Sequence, residues 1–146
     1  MADRPTVRHG RDGSRRVSEH QVREVFEYAL LRVVPRIERG ECFNAGVVVY
    51  SRARTYVAAR TFLDEAKLRA LDPTADVRGV RAALHAVEQV CCGGVGAGQA
   101  AQDDAGRRFR WLIAPRSTVV QPGPVHTGLT ADPEAEVDRL LTLLVR

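Results

Sequence analysis

The chain has 146 residues, of which 45% are hydrophobic and 27% charged, with a formal net charge of +4. That length suits one domain with a core large enough to stand without disulfides, and the composition is globular rather than disordered. No apolar run approaches the roughly 20 residues of a membrane-spanning helix, and the N-terminus lacks the apolar stretch of a secretory signal, so a cytoplasmic protein with no membrane contact is expected.

The charge is uneven. Residues 1–23 carry six arginines against Asp3, Asp12 and Glu19, while the rest of the chain is close to neutral. We read 1–23 as a flexible basic leader and 24–146 as a single domain. Arginines of this kind attract phosphates in a salt-dependent way. A solvated tail has the same composition, so nucleic acid is not an expected partner and would bind only through the leader. Cys42, Cys91 and Cys92 are odd in number and two are adjacent, a poor arrangement for a disulfide. No CxxC pair frames a zinc site, so no metal and no cofactor are expected, and a reduced compartment fits.

In chain order, Val25–Ile37 is rich in β-branched, aromatic and aliphatic residues and predicts a strand. Glu38–Cys42 is a polar turn around Gly40. Asn44–Ser51 and Thr55–Phe62 predict two further strands, joined by the short link Arg52-Ala53-Arg54. Short links imply an antiparallel meander, because parallel pairing needs a long crossover. Asp64–Leu71 predicts a short helix ended by Asp72-Pro73. Asp76–Cys92 predicts a longer one, with Val77, Val80, Leu84, Val87 and Cys91 at helical spacing. Gly93–Gly106 is expected to be a loop, and Phe109–Ile113 and Ser117–Gln121 to be extended. Gln121–Thr130 is expected to be irregular, given its two prolines and two glycines. Asp132-Pro133-Glu134 then opens a last helix with Val137, Leu140, Leu141 and Leu144 on one stripe. Strands first and helices after give an α+β fold: a three-strand meander plus one or two later strands, with about three helices packed on one face.

The candidate sites are few. The glycine run Gly93–Gly98 follows a helix instead of preceding one and has no Lys-Ser or Lys-Thr after it, so a cap and loop account for it better than a phosphate cradle. His85 shares a helix face with Arg78, Arg81 and Glu88, the pattern of a solvated surface. Arg32 falls on the strand face of Phe26, Tyr28 and Leu30, where it must be paired, reach water or meet an anion. The segment Ala114–Gly128 gathers Arg116, Ser117, Gln121, His126 and Thr127. An arginine there can hold a phosphate or carboxylate and a histidine can move a proton near neutral pH, while the same side chains could instead satisfy the backbone of an ordered loop.

The stretches YALLRVVPRIERGECFNAGVVVYSR (28–52) and FRWLIAPRSTVVQPGPVHTGLT (109–130) closely resemble the Domain of Unknown Function 3037 family. The resemblance implies a small bacterial protein and brings no activity, substrate or catalytic residue with it. It also implies a HipA-like kinase as a protein partner, because members of the family are encoded beside such kinases. The expected function is therefore a non-catalytic accessory or interaction module working with a partner protein. The alternative is a small enzyme or anion-binding protein, with a phosphate-type pocket formed by Arg32, Asn44, Arg116, Ser117 and His126; Gln121 and Thr127 are further candidates for ligand or partner binding.

Overall fold

The computed structural model describes residues 22–93 and 104–146. Most of the basic leader and the glycine run lie outside the described residues. Four strands, β1 (Glu24–Val33), β2 (Phe43–Ser51), β3 (Tyr56–Thr61) and β4 (Val120–Thr130), form an antiparallel sheet in the order β3-β2-β1-β4. Among the described residues four helices accompany it: α1 (Glu65–Leu71), α2 (Val77–Cys92), α3 (Ala105–Leu112) and α4 (Pro133–Leu144). The α+β class and the meander β1-β2-β3 agree with the sequence reading.

β1 is shorter than its apolar run. Pro35 has no N–H to give a ladder, and the chain then turns at Arg36–Gly40, where the Gly40 N–H donates to the Arg36 carbonyl and Gly40 takes φ +70°. In β2, Ala45 is an extra residue opposite the Leu31–Arg32 step of β1, a bulge that pairs Arg32 with Asn44. Each helix begins where a carboxylate takes up free N–H groups: Asp64, Asp76, Asp104 and Asp132 are the four N-caps.

Two core layers sandwich the sheet. On the first face, Ala29, Leu31, Val33, Ala45 and Val48 meet Leu68 of α1, Val80 and Leu84 of α2, and Phe109 and Leu112 of α3. On the second face, Phe26, Val47 and Val49 meet Val137, Leu140 and Leu141 of α4. Three helices thus share one face, as the order of elements suggests, but the last helix covers the opposite one. β2 explains why: Val47, Val48 and Val49 are consecutive and all fully buried, which requires cover on both sides.

Four segments differ from expectation. α3 already begins at Ala105, inside the loop expected over Gly93–Gly106. Of Ser117–Gln121, only Val120 and Gln121 are in a strand, the start of β4. Phe109–Ile113 is not extended; Phe109–Leu112 is the second half of α3. Ala105, Phe109 and Leu112 repeat at helical spacing, and all three are buried. Gln121–Thr130 is not irregular but pairs with β1 along its length. Its prolines are tolerated because β4 is an edge strand, and Gly123-Pro124 sit at a bulge, between the pairs Ala29–Val125 and Leu31–Pro122.

Candidate functional site

The seven residues singled out from the sequence occupy four places. Arg32 is opposite Asn44 on β2 and Gln121 on β4, so the three form one row across the sheet on the second face. Asn44 Nδ2 donates to the Leu144 carbonyl at 3.2 Å, which puts this row beside the C-terminal end of α4. That end carries partial negative charge, and a cation beside it is favoured. The Arg32 guanidinium lies against the backbone of Gly123: a Cβ there would come within 3.1 Å of Cζ. Among the described residues no carboxylate lies within ion-pair distance of Arg32, which is half-buried.

His126 is on the same face but further along the strand. It is exposed and rests on Tyr28, its cross-strand partner, with ring centroids 5.2 Å apart. Thr127 lies on the opposite face, across from Glu27. Glu27 there accepts both guanidinium nitrogens of Arg110, at 3.2 and 3.0 Å, a bidentate pair tying α3 to β1. The seven therefore do not line a single pocket.

Arg116 and Ser117 sit between α3 and β4. Ser117 is exposed. Arg116 folds back on the end of α3, donating to the Trp111 carbonyl and, at 3.3 Å, to that of Ala114. Its guanidinium carbon is 4.5 Å from the centre of the Trp111 ring. Trp111, the chain's one tryptophan, is 48% exposed. Its neighbours on α3 explain this: Phe109 and Leu112 face the core, so the helix turns Trp111 outward. The sequence reading missed Trp111 and Arg110 because it did not recognise the helix. The spacing of Ala105, Phe109 and Leu112 was the signal available.

A cavity of about 410 Å³ opens elsewhere, between the α1–α2 link and the end of the sheet, floored by Leu68, Val80 and Val119. Asp72 and Asp76 stand at its rim, and each already uses an oxygen locally, Asp72 for Thr74 and Asp76 for the Gly79 N–H. Of the cysteines, Cys42 and Cys92 are exposed and Cys91 is buried. Burial pushes the Cys91 thiol up to about 12, so it stays protonated and unreactive near neutral pH. Among the described residues no three His, Cys, Asp or Glu side chains cluster as a metal site needs, and no helix is long and apolar enough to cross a membrane.

The family described as "Protein of unknown function (DUF3037)" matches residues 28–145, from the fifth residue of β1 onward through α4. The chain belongs to this family. No curated protein and no solved structure matches it. Membership in DUF3037 covers β1 to α4, including the Arg32 row and the Trp111–Arg116 stack, and leaves the leader outside the matched residues.

Proposed function

We propose that this DUF3037 protein is a non-catalytic accessory module that acts by binding a partner protein, and that the Trp111–Arg116 stack is where the partner is held. One observation carries the reading: the chain spends its single tryptophan on the surface and fixes it there with an arginine. Tryptophan and arginine are the side chains most enriched among interface residues that dominate binding energy. Arg116 is itself held by two carbonyls, so the pair is ordered before a partner arrives and little entropy is lost on binding. A HipA-like kinase is the partner class that the family resemblance suggests.

The test is affinity capture from native lysate with wild type, Trp111→Ala and Arg116→Ala, read by mass spectrometry. The reading expects a stoichiometric protein with wild type and its loss with Trp111→Ala, since truncating such an anchor costs about 2 kcal/mol or more. Recovery of wild type alone, or equal recovery of the partner by both variants, would overturn it.

A second reading is favoured by Arg32, which has no carboxylate partner among the described residues and is flanked by Asn44 and Gln121. Under it, this row holds a small anion of the phosphate or carboxylate class, without His126, Thr127 or Arg116. Calorimetric titration with inorganic phosphate is expected to give heat with wild type and none with Arg32→Met. No heat with wild type would remove the phosphate case, and equal heat with both would place the anion elsewhere.

A further inference from the structure

β4 has a neighbour on one side only: among the described residues its other edge is open. An open edge presents unpaired N–H and C=O groups to any added strand, and natural proteins guard such edges with charge, proline or a covering segment. Pro122 and Pro124 guard the first half of β4. From Val125 to Thr130 there is neither a proline nor an acidic or basic side chain other than His126, and Val125 and Leu129 are both exposed, Leu129 by 61%.

This unguarded stretch, Val125-His126-Thr127-Gly128-Leu129, is self-complementary about Thr127. Laid antiparallel on itself with Thr127 against Thr127, Val125 of one copy comes opposite Leu129 of the other, and His126 opposite Gly128. Aliphatic and Thr–Thr pairs are both favourable across an antiparallel ladder. The register also continues the rows already present within each copy. Val25 pairs with Leu129 and Ala29 with Val125, so the first face would carry Val25, Leu129, Val125 and Ala29 in line across four strands. Val25, 60% exposed in the single chain, lies in that row. On the second face Gly128 leaves room for the Phe26 ring, since a Cβ there would stand 2.7 Å from it, and His126 rests on Tyr28. The matching row is Phe26, Gly128, His126 and Tyr28. A slip of one residue would set Val125 against Gly128 and turn the two copies' faces to opposite sides of the sheet.

We propose that a second copy of this chain pairs along Val125–Leu129, with a twofold axis at Thr127, to make one continuous antiparallel sheet of eight strands. A twofold pairing satisfies the same edge in both copies and closes the assembly at two. It uses a different surface from the Trp111–Arg116 stack, so each dimer would display that stack twice.

The first experiment is sedimentation of the full chain over a concentration series. The expected result is a mass about twice 16.1 kDa that falls on dilution, and a monomer for Leu129→Lys at the same concentrations. The second fixes the register: Thr127→Cys and Val125→Cys are each made in a chain carrying Cys42→Ser and Cys92→Ser, then mildly oxidised. Two residues at position 127 would face each other within disulfide reach, whereas those at 125 would lie roughly 14 Å apart along the strand. Thr127→Cys should link into a dimer and Val125→Cys should not. A wild-type chain that stays at 16.1 kDa overturns the proposal, as does a dimer that links through position 125 or fails to link through 127.

Discussion

β2 and β4 are strands of one sheet with opposite surroundings. β2 lies between β1 and β3, with α2 and α3 over one face and α4 over the other, and its Val47-Val48-Val49 run is fully buried. Among the described residues β4 has one neighbour, and from Pro124 to Thr127 every residue is exposed. The difference shows which side chains the fold has already committed. In that run of β2 any polar substitution would face a closed layer. In β4 the side chains are released from packing, so histidine, threonine, glycine and proline stand there at little cost to the core, and recognition has room to act.

That contrast can be broken by substitution, and the largest effect belongs to the covered half. Phe109 is fully buried and stacks on Tyr50 with ring centroids 5.1 Å apart. Phe109→Ala is expected to cost about 3–5 kcal/mol in urea unfolding. Leu129→Ala on β4 should stay within about 0.5 kcal/mol, measured at a concentration where the chain is monomeric. Equal losses at the two positions would mean that β4 is as much part of the core as α3.

Gly128 sharpens the comparison, because β4 is tightly fitted there. A Cβ at this position would meet the Phe26 ring, itself packed under α4. Gly128→Ala should therefore cost about 1–3 kcal/mol by overpacking, against almost nothing for Thr127→Ala. Next in size is the cap of α4. Asp132 accepts the N–H groups of Glu134 and Ala135 at 3.1 and 3.3 Å, and Asp132→Ala should cost about 1 kcal/mol.

These effects also show what was readable from residues alone. Asp132-Pro133-Glu134 and the stripe Val137, Leu140, Leu141 are local signals, and α4 follows from them within the chain. The face α4 packs against is not local: it depends on β2 being buried on both sides, which appears only once β1 and β3 flank it. Phe109–Ile113 misleads because five residues rich in aromatic and aliphatic types fit a strand, while the helical period needs Ala105 to be included. The prolines of β4 suggest irregular chain until its place at the sheet edge is known. Arg32, Asn44 and Gln121 meet because of pairing register, including a bulge in β2 that no spacing rule reveals. Thr127 is separated from His126 by the alternation of a strand that was not foreseen.

The smallest effect is chemical. Cys91, on the buried face of α2, has its thiol raised from 9.0 to about 12, so the folded chain holds a proton that the unfolded chain releases. Between those values the folded state binds more protons, and stability falls as pH rises. The unfolding midpoint should drift downward above about pH 9, and less so in Cys91→Ala, where the cavity lowers the starting value but the pH slope is removed. Alkylation near pH 8 should modify Cys42 and Cys92 quickly and Cys91 only on unfolding. Equal reactivity of all three would place Cys91 outside the closed layer.

The most direct test of the account pairs two readings on one variant. Trp111→Ala is compared with wild type in urea unfolding and in partner capture. The account predicts a midpoint shifted by less than about 1 kcal/mol in free energy, because an exposed side chain contributes little to folding, together with loss of the captured protein. A large drop in stability would make Trp111 a structural residue. Capture that survives the substitution would contradict the claim that this surface holds the partner.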